Sequence, residues 1–153
     1  MEPTTGEPES LEKVVLSLEN DEAETLWAER VNHGIYRLRN VPIFAFGYSE
    51  GDIVSTVERD GRQVVTGTHT GGGHSTYRII FPEKTIGEQF KRLWEPLVKL
   101  GCTYERASGR MIGVDVPPST NIHAVYAVLE RGEQEGYWIF EEGHCGHPLC
   151  NVQ

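Results

Sequence analysis

Cysteine is scarce in this chain: Cys102, Cys145 and Cys150 are the whole set. So odd and sparse a count argues against a disulfide framework and agrees with a reducing compartment. Basic residues are also short, 14 Lys and Arg against 23 Asp and Glu. Nucleic-acid binding rests on Lys and Arg neutralising phosphates, so no nucleic acid is expected as a partner. No apolar run approaches the roughly 20 residues that cross a membrane. The opening "MEPTTGEPESLEK" has neither the basic start nor the apolar stretch of a secretory signal. The expectation is a cytoplasmic protein with no membrane attachment.

What is present is an ordinary globular composition, 38% hydrophobic and 24% charged, over 153 residues. That length allows one domain or two small ones. The net charge of −9 is unevenly spread: residues 1–24 hold eight acids and one base, the remainder 15 acids and 13 bases. Residues 1–23 therefore read as an acidic disordered tail, of a kind that suits a basic protein partner. Within it, "LEKVVLSLEN" has enough apolar residues for a short strand or a helical turn.

From Glu24 the pattern alternates. "TLWAERV", "GIYRLRNV", "DIVSTVE", "RQVVTGT" and "STYRIIF" have the period of strands. Asp60-Gly61 is a hairpin signal between the third and fourth. Gly71, Gly72 and Gly73 read as a second hairpin turn, with Thr70 across from His74. Five short strands with frequent turns predict a small curled sheet or barrel over residues 24–81.

After Pro82 the period changes. Ile86, Phe90, Leu93, Leu97 and Leu100 mark one helix face, with a capping-box pattern at Thr85 and Glu88. Two strands, a helix capped by Ser119 or Thr120, and a last strand in "EGYWIFEEG" follow. From Ser75 the order is strand, helix, strand, strand, helix, strand, the split βαβ or ferredoxin-like arrangement. The fold class is thus α+β: a barrel lobe, then a ferredoxin-like lobe over 75–143, with strand 75–81 shared. Residues 144–153 read as a frayed C-terminal tail.

"LWAERV…GIYRLRNVPIFAFGYSEGDIV", "GHSTYRIIF", "GRMIGVDVPP" and "GYWIFEEG", in that order and spacing, resemble the bacterial family called domain of unknown function 4265. The resemblance spans roughly residues 25–147 and implies a small cytosolic bacterial protein. It carries no activity and assigns no catalytic residue.

Four places concentrate chemistry. A phosphate loop needs glycines that lead into a helix, and "GGGHSTYRIIF" leads into a strand. Alternation puts His74, Thr76 and Arg78 on one face of that strand and Tyr77, Ile79 and Phe81 on the core face. His74 and Arg78 are ligand-binding candidates, together with Asp115, which points away from Ile112, Val114 and Val116. The plainer reading is a structural ion pair with a satisfied histidine. In "PIFAFGYSEGD", Phe44, Phe46 and Tyr48 alternate; burial at one end of the barrel is favoured, and exposure would make them a protein contact. "GYSEG" matches G-x-S-x-G around Ser49, but a strand follows where a nucleophile elbow needs a helix. At the C-terminus, His144, Cys145, His147 and Cys150 are competent zinc ligands crowded into one short segment. Four from one segment strain tetrahedral geometry, so no metal and no cofactor is expected. Glu141 and Glu142 are strand neighbours that point to opposite faces, and Asp52 has the position of a turn residue.

These readings converge on a small protein that binds another protein, antitoxin-like or regulatory in style, and performs no catalysis. The alternative is an enzyme such as a hydrolase, or a small-ligand binder, with His74 and Arg78 in an inter-lobe cleft.

Overall fold

The computed structural model describes residues 11–149. The chain first builds five strands: β1 (Leu11–Ser17), β2 (Ala23–Asn32), β3 (Ile35–Leu38), β4 (Ile53–Arg59) and β5 (Arg62–Thr70). They close a barrel in sequence order, with one parallel pair, Val14–Gln63 and Val15–Val64, joining β1 to β5. Asp60 and Gly61 both have positive φ, 53° and 78°, the requirement of a two-residue turn whose twist matches its strands. Val14, Leu16, Leu26, Ala28, Tyr36, Leu38, Ala45 and Val54 fill the interior.

The first strand corrects the expected tail. Leu11–Ser17 is a full member of the barrel, because Val14 and Leu16 alternate inward and pair along β2. Of the expected tail, residues 1–10 lie outside the described residues. A strand needs only a few apolar residues at alternate positions, and the surrounding acids lie outside the core.

The second unit runs β6 (Ser75–Ile80), α1 (Gly87–Lys99), β7 (Thr103–Arg106), β8 (Met111–Val116), α2 (Ile122–Gln134) and β9 (Ile139–His144). The sheet order β7-β8-β6-β9, all antiparallel, is that of the split βαβ fold. Helix faces Phe90, Trp94 and Leu97 on α1, and Ile122, Val125 and Leu129 on α2, bury against Tyr77, Ile79, Phe81, Ile112, Val114 and Val116. Asn121 caps α2 by accepting from His123 N and Ala124 N. The expected box at Thr85 does not form; Thr85 donates to Glu83 O, and Ile86 takes the cap position without a side-chain bond.

Strand β6 hydrogen-bonds to β8 and β9 and not to the barrel, so it is not shared. The triple glycine is accordingly no hairpin turn. It is the crossover from barrel to sheet, and an added Cβ at Gly72 would sit 2.6 Å from the Gly51 carbonyl oxygen. Glycine is required there by close backbone approach.

Candidate functional site

The link between β3 and β4, residues 39–52, leaves the barrel, crosses the open face of the second sheet and returns. Glu24 shapes its first half: the carboxylate accepts from Ile43 N at 2.7 Å, Phe44 N at 3.0 Å and Ala45 N at 2.9 Å. Glu105 of β7 accepts from Val41 N at 3.1 Å. Gly113 of β8 is the seat beneath, since a Cβ there would lie 2.7 Å from Ile43 and 3.0 Å from Val41. With Ile43 and Ala45 turned inward, alternation turns Phe44 and Phe46 out, 50% and 59% exposed. The expected burial of this loop therefore fails for both phenylalanines. Tyr48 is partly buried against the barrel core.

Phe44, Ala45, Phe46 and Tyr48 form one wall of a cleft of about 920 Å³. Ser17, Leu18, Glu19, Asn20, Glu22 and Ala23 form the other, the connection from β1 to β2. That connection is a tight turn, closed by Leu18 N donating to Glu22 O at 2.8 Å, with Asn20 and Asp21 at positive φ. Phe46 is held from behind: the Arg78 guanidinium lies 4.1 Å from its ring centroid. Arg78 itself is 5% exposed, donates through Nη1 to Ile43 O, and brings Nε within 2.9 Å of Glu141. The Glu141 contact compensates charge without the alignment of a hydrogen bond, and Nη2 has no partner among the described residues.

On its other side the loop is latched to the sheet. Ser49, fully buried, has its Oγ 2.6 Å from Thr76 Oγ1 and 2.8 Å from His144 Nδ1. Asp52 takes the turn role, accepting from Ser49 N and Gly72 N at 2.9 Å each. His74 Nδ1 lies 2.8 Å from Asp115, and the His74 ring packs where a Gly51 side chain would otherwise stand. Burial pushes the Glu50 carboxyl up to about 7, helped by the nearby charges of Asp115 and Glu105 and opposed by His74 and Arg39. Asp115 is also raised, by burial, against the lowering effect of its bond with His74.

His74, Arg78 and Asp115 thus share one face, the inter-lobe face, and each is engaged by a neighbour, with Arg78 Nη2 left over among the described residues. The C-terminal segment separates likewise. His147 is buried with Nδ1 2.6 Å from Ser75 Oγ and Nε2 2.9 Å from Pro117 O, while His144 faces Ser49. Residues 144–147 are therefore tied down, which corrects the frayed tail for that stretch. Cys145 Sγ lies 3.7 Å from the His147 carbonyl oxygen, and Cys150 lies outside the described residues. Among the described residues no three His, Cys, Asp or Glu side chains converge as metal ligands, and no helix is long and apolar enough to cross a membrane.

Sequence reasoning missed three elements of this region. Glu24 and the Ser17–Ala23 turn fell at the edge of an apparent tail. Glu50 has no local signal, because its partners come from other strands.

The family described as Domain of unknown function (DUF4265) matches residues 24–140, from the Glu24 clamp to β9. The chain belongs to this family. The match takes in the aromatic wall of the cleft and begins just after its acidic wall. No curated protein matches the chain. Among solved structures, a hypothetical protein from Neisseria gonorrhoeae superposes with a TM-score of 0.74 at 18% identity, over 88% of this chain and 93% of that one. That likeness establishes a common fold between this DUF4265 chain and the Neisseria protein.

Proposed function

We propose that this DUF4265 chain is a protein-binding module that acts by occupying a partner, in a regulatory or antitoxin-like manner, and carries out no chemistry. The observation behind this reading is the pair Phe44 and Phe46, two exposed aromatics on one wall of a cleft. Aromatic anchors give large contact area at small entropic cost, and they dominate protein interfaces when held rigid. Phe46 is held rigid by Arg78, and the backbone of Phe44 by Glu24. Occupation of the cleft would cover both rings together.

The catalytic alternative is weaker on the same geometry. His74 is packed against Gly51, Arg78 lies under Phe46, and Ser49 is fully buried. A substrate would have to displace the contacts that join the lobes. The test is affinity capture from an extract of the source cells, with the wild type and the Phe44→Ala/Phe46→Ala double variant in parallel. A partner should be retained by the wild type and lost by the double variant, at unchanged circular dichroism. Identical partner sets on both proteins would sink the proposal.

A further inference from the structure

We infer that the segment entering this cleft is cationic as well as apolar: a partner loop or terminus with Lys or Arg beside an aromatic or aliphatic residue. The inference rests on the protein-binding reading above and adds the chemistry of the partner. The two walls of the cleft differ in kind. One carries Phe44, Ala45, Phe46 and Tyr48; the other carries Glu19 and Glu22, both exposed, with no Lys or Arg on either wall. Asp21, also exposed, sits between those two acids in the same turn.

The backbone that carries the acids is itself fixed. The Leu18–Glu22 bond and the left-handed conformations of Asn20 and Asp21 hold the turn in one shape. The nearby Glu24 carboxylate is already engaged by three backbone N–H groups. An apolar side chain is thus met by one wall and a positive charge by the other. Rim carboxylates act mainly on selectivity and on the rate of encounter. They repel acidic peptides, nucleic-acid backbones and anionic bilayers alike.

The test is a display selection from a random dodecamer library on the immobilised full chain. The selected peptides are then measured against variants. Lys or Arg adjacent to Phe, Leu or Met should be enriched. Glu19→Gln/Glu22→Gln should weaken those peptides roughly two- to tenfold, with the loss shrinking at 0.5 M salt as charges are screened. Phe44→Ala/Phe46→Ala should abolish capture. Peptides that need the phenylalanines but are neutral or acidic, and ignore Glu19→Gln/Glu22→Gln, overturn the cationic inference and leave the binding reading standing. Peptides indifferent to the phenylalanines, or no enrichment at all, overturn both. Tight binding to phosphatidylglycerol vesicles overturns the inference in favour of a lipid surface.

Discussion

The two lobes solve the burial problem differently. The barrel interior is small and aliphatic, with Tyr36 its one aromatic among the buried cluster. The ferredoxin-like lobe stacks Tyr77, Phe81, Phe90, Trp94 and Trp138 between helices and sheet, with Phe81 edge-on to both Phe90 and Trp138. The barrel instead leaves Phe44 and Phe46 outside. Aromatic packing is concentrated in one lobe, and the exposed aromatic pair lies on the loop that leaves the other. The loop 39–52 joins the two, since its backbone is clamped from both sides.

Mutations can break that division, and the largest effect belongs to the aromatic core. Phe81→Ala should cost about 3–5 kcal/mol, the loss expected on emptying a buried aromatic site. Urea denaturation followed by tryptophan fluorescence reads it, and a cost near that of a surface change would refute the place of Phe81 in this aromatic core. Next comes the clamp. Glu24→Ala removes a charged acceptor shared by three N–H groups and should cost about 1.5–3 kcal/mol. It should also speed hydrogen exchange at Ile43, Phe44 and Ala45; unchanged exchange there would mean the clamp is incidental.

A smaller effect is tied to pH. The folded Glu50 carboxyl titrates near 7, above its ordinary value of 4.5. Between those two values the folded chain holds a proton that the unfolded chain releases, so its contribution to stability falls as pH rises through that window and levels off above it. Denaturation midpoints at pH 5 and pH 8 should converge in Glu50→Gln relative to the wild type. Equal slopes in the two proteins would remove Glu50 from the account. The smallest effect is at the exposed ring: Phe44→Ala should change stability by no more than about 0.5 kcal/mol. A much larger loss would mean that the ring supports the fold rather than a partner.

The second lobe was legible in the sequence because its signals are local. Helix periodicity at Phe90 and Leu97 and the alternation of Tyr77, Ile79 and Phe81 mark its elements. The barrel was legible in kind but shifted by one strand. The stretch "LEKVVLSLEN", five apolar residues and two acids, lies inside an acidic segment that reads as a tail, although Val14 and Leu16 reach the core. The triple glycine reads locally as a turn; that β6 pairs with β8 and β9 is decided by residues far along the chain. Exposure of Phe44 and Phe46 is equally non-local, set by the empty seat at Gly113.

The closing pair of the barrel also sets an order of events. Strand β1 meets β2 as soon as the intervening turn exists, but Val14 reaches Gln63 only after three more strands have been made. Closing so long a loop carries an entropic cost before any contact offsets it, and non-local pairing of this kind is slow. During synthesis the free edge of β1 therefore waits, unpaired, until β5 arrives. Of the contacts in the barrel, the seam between its first and last strands is the one that time leaves open longest.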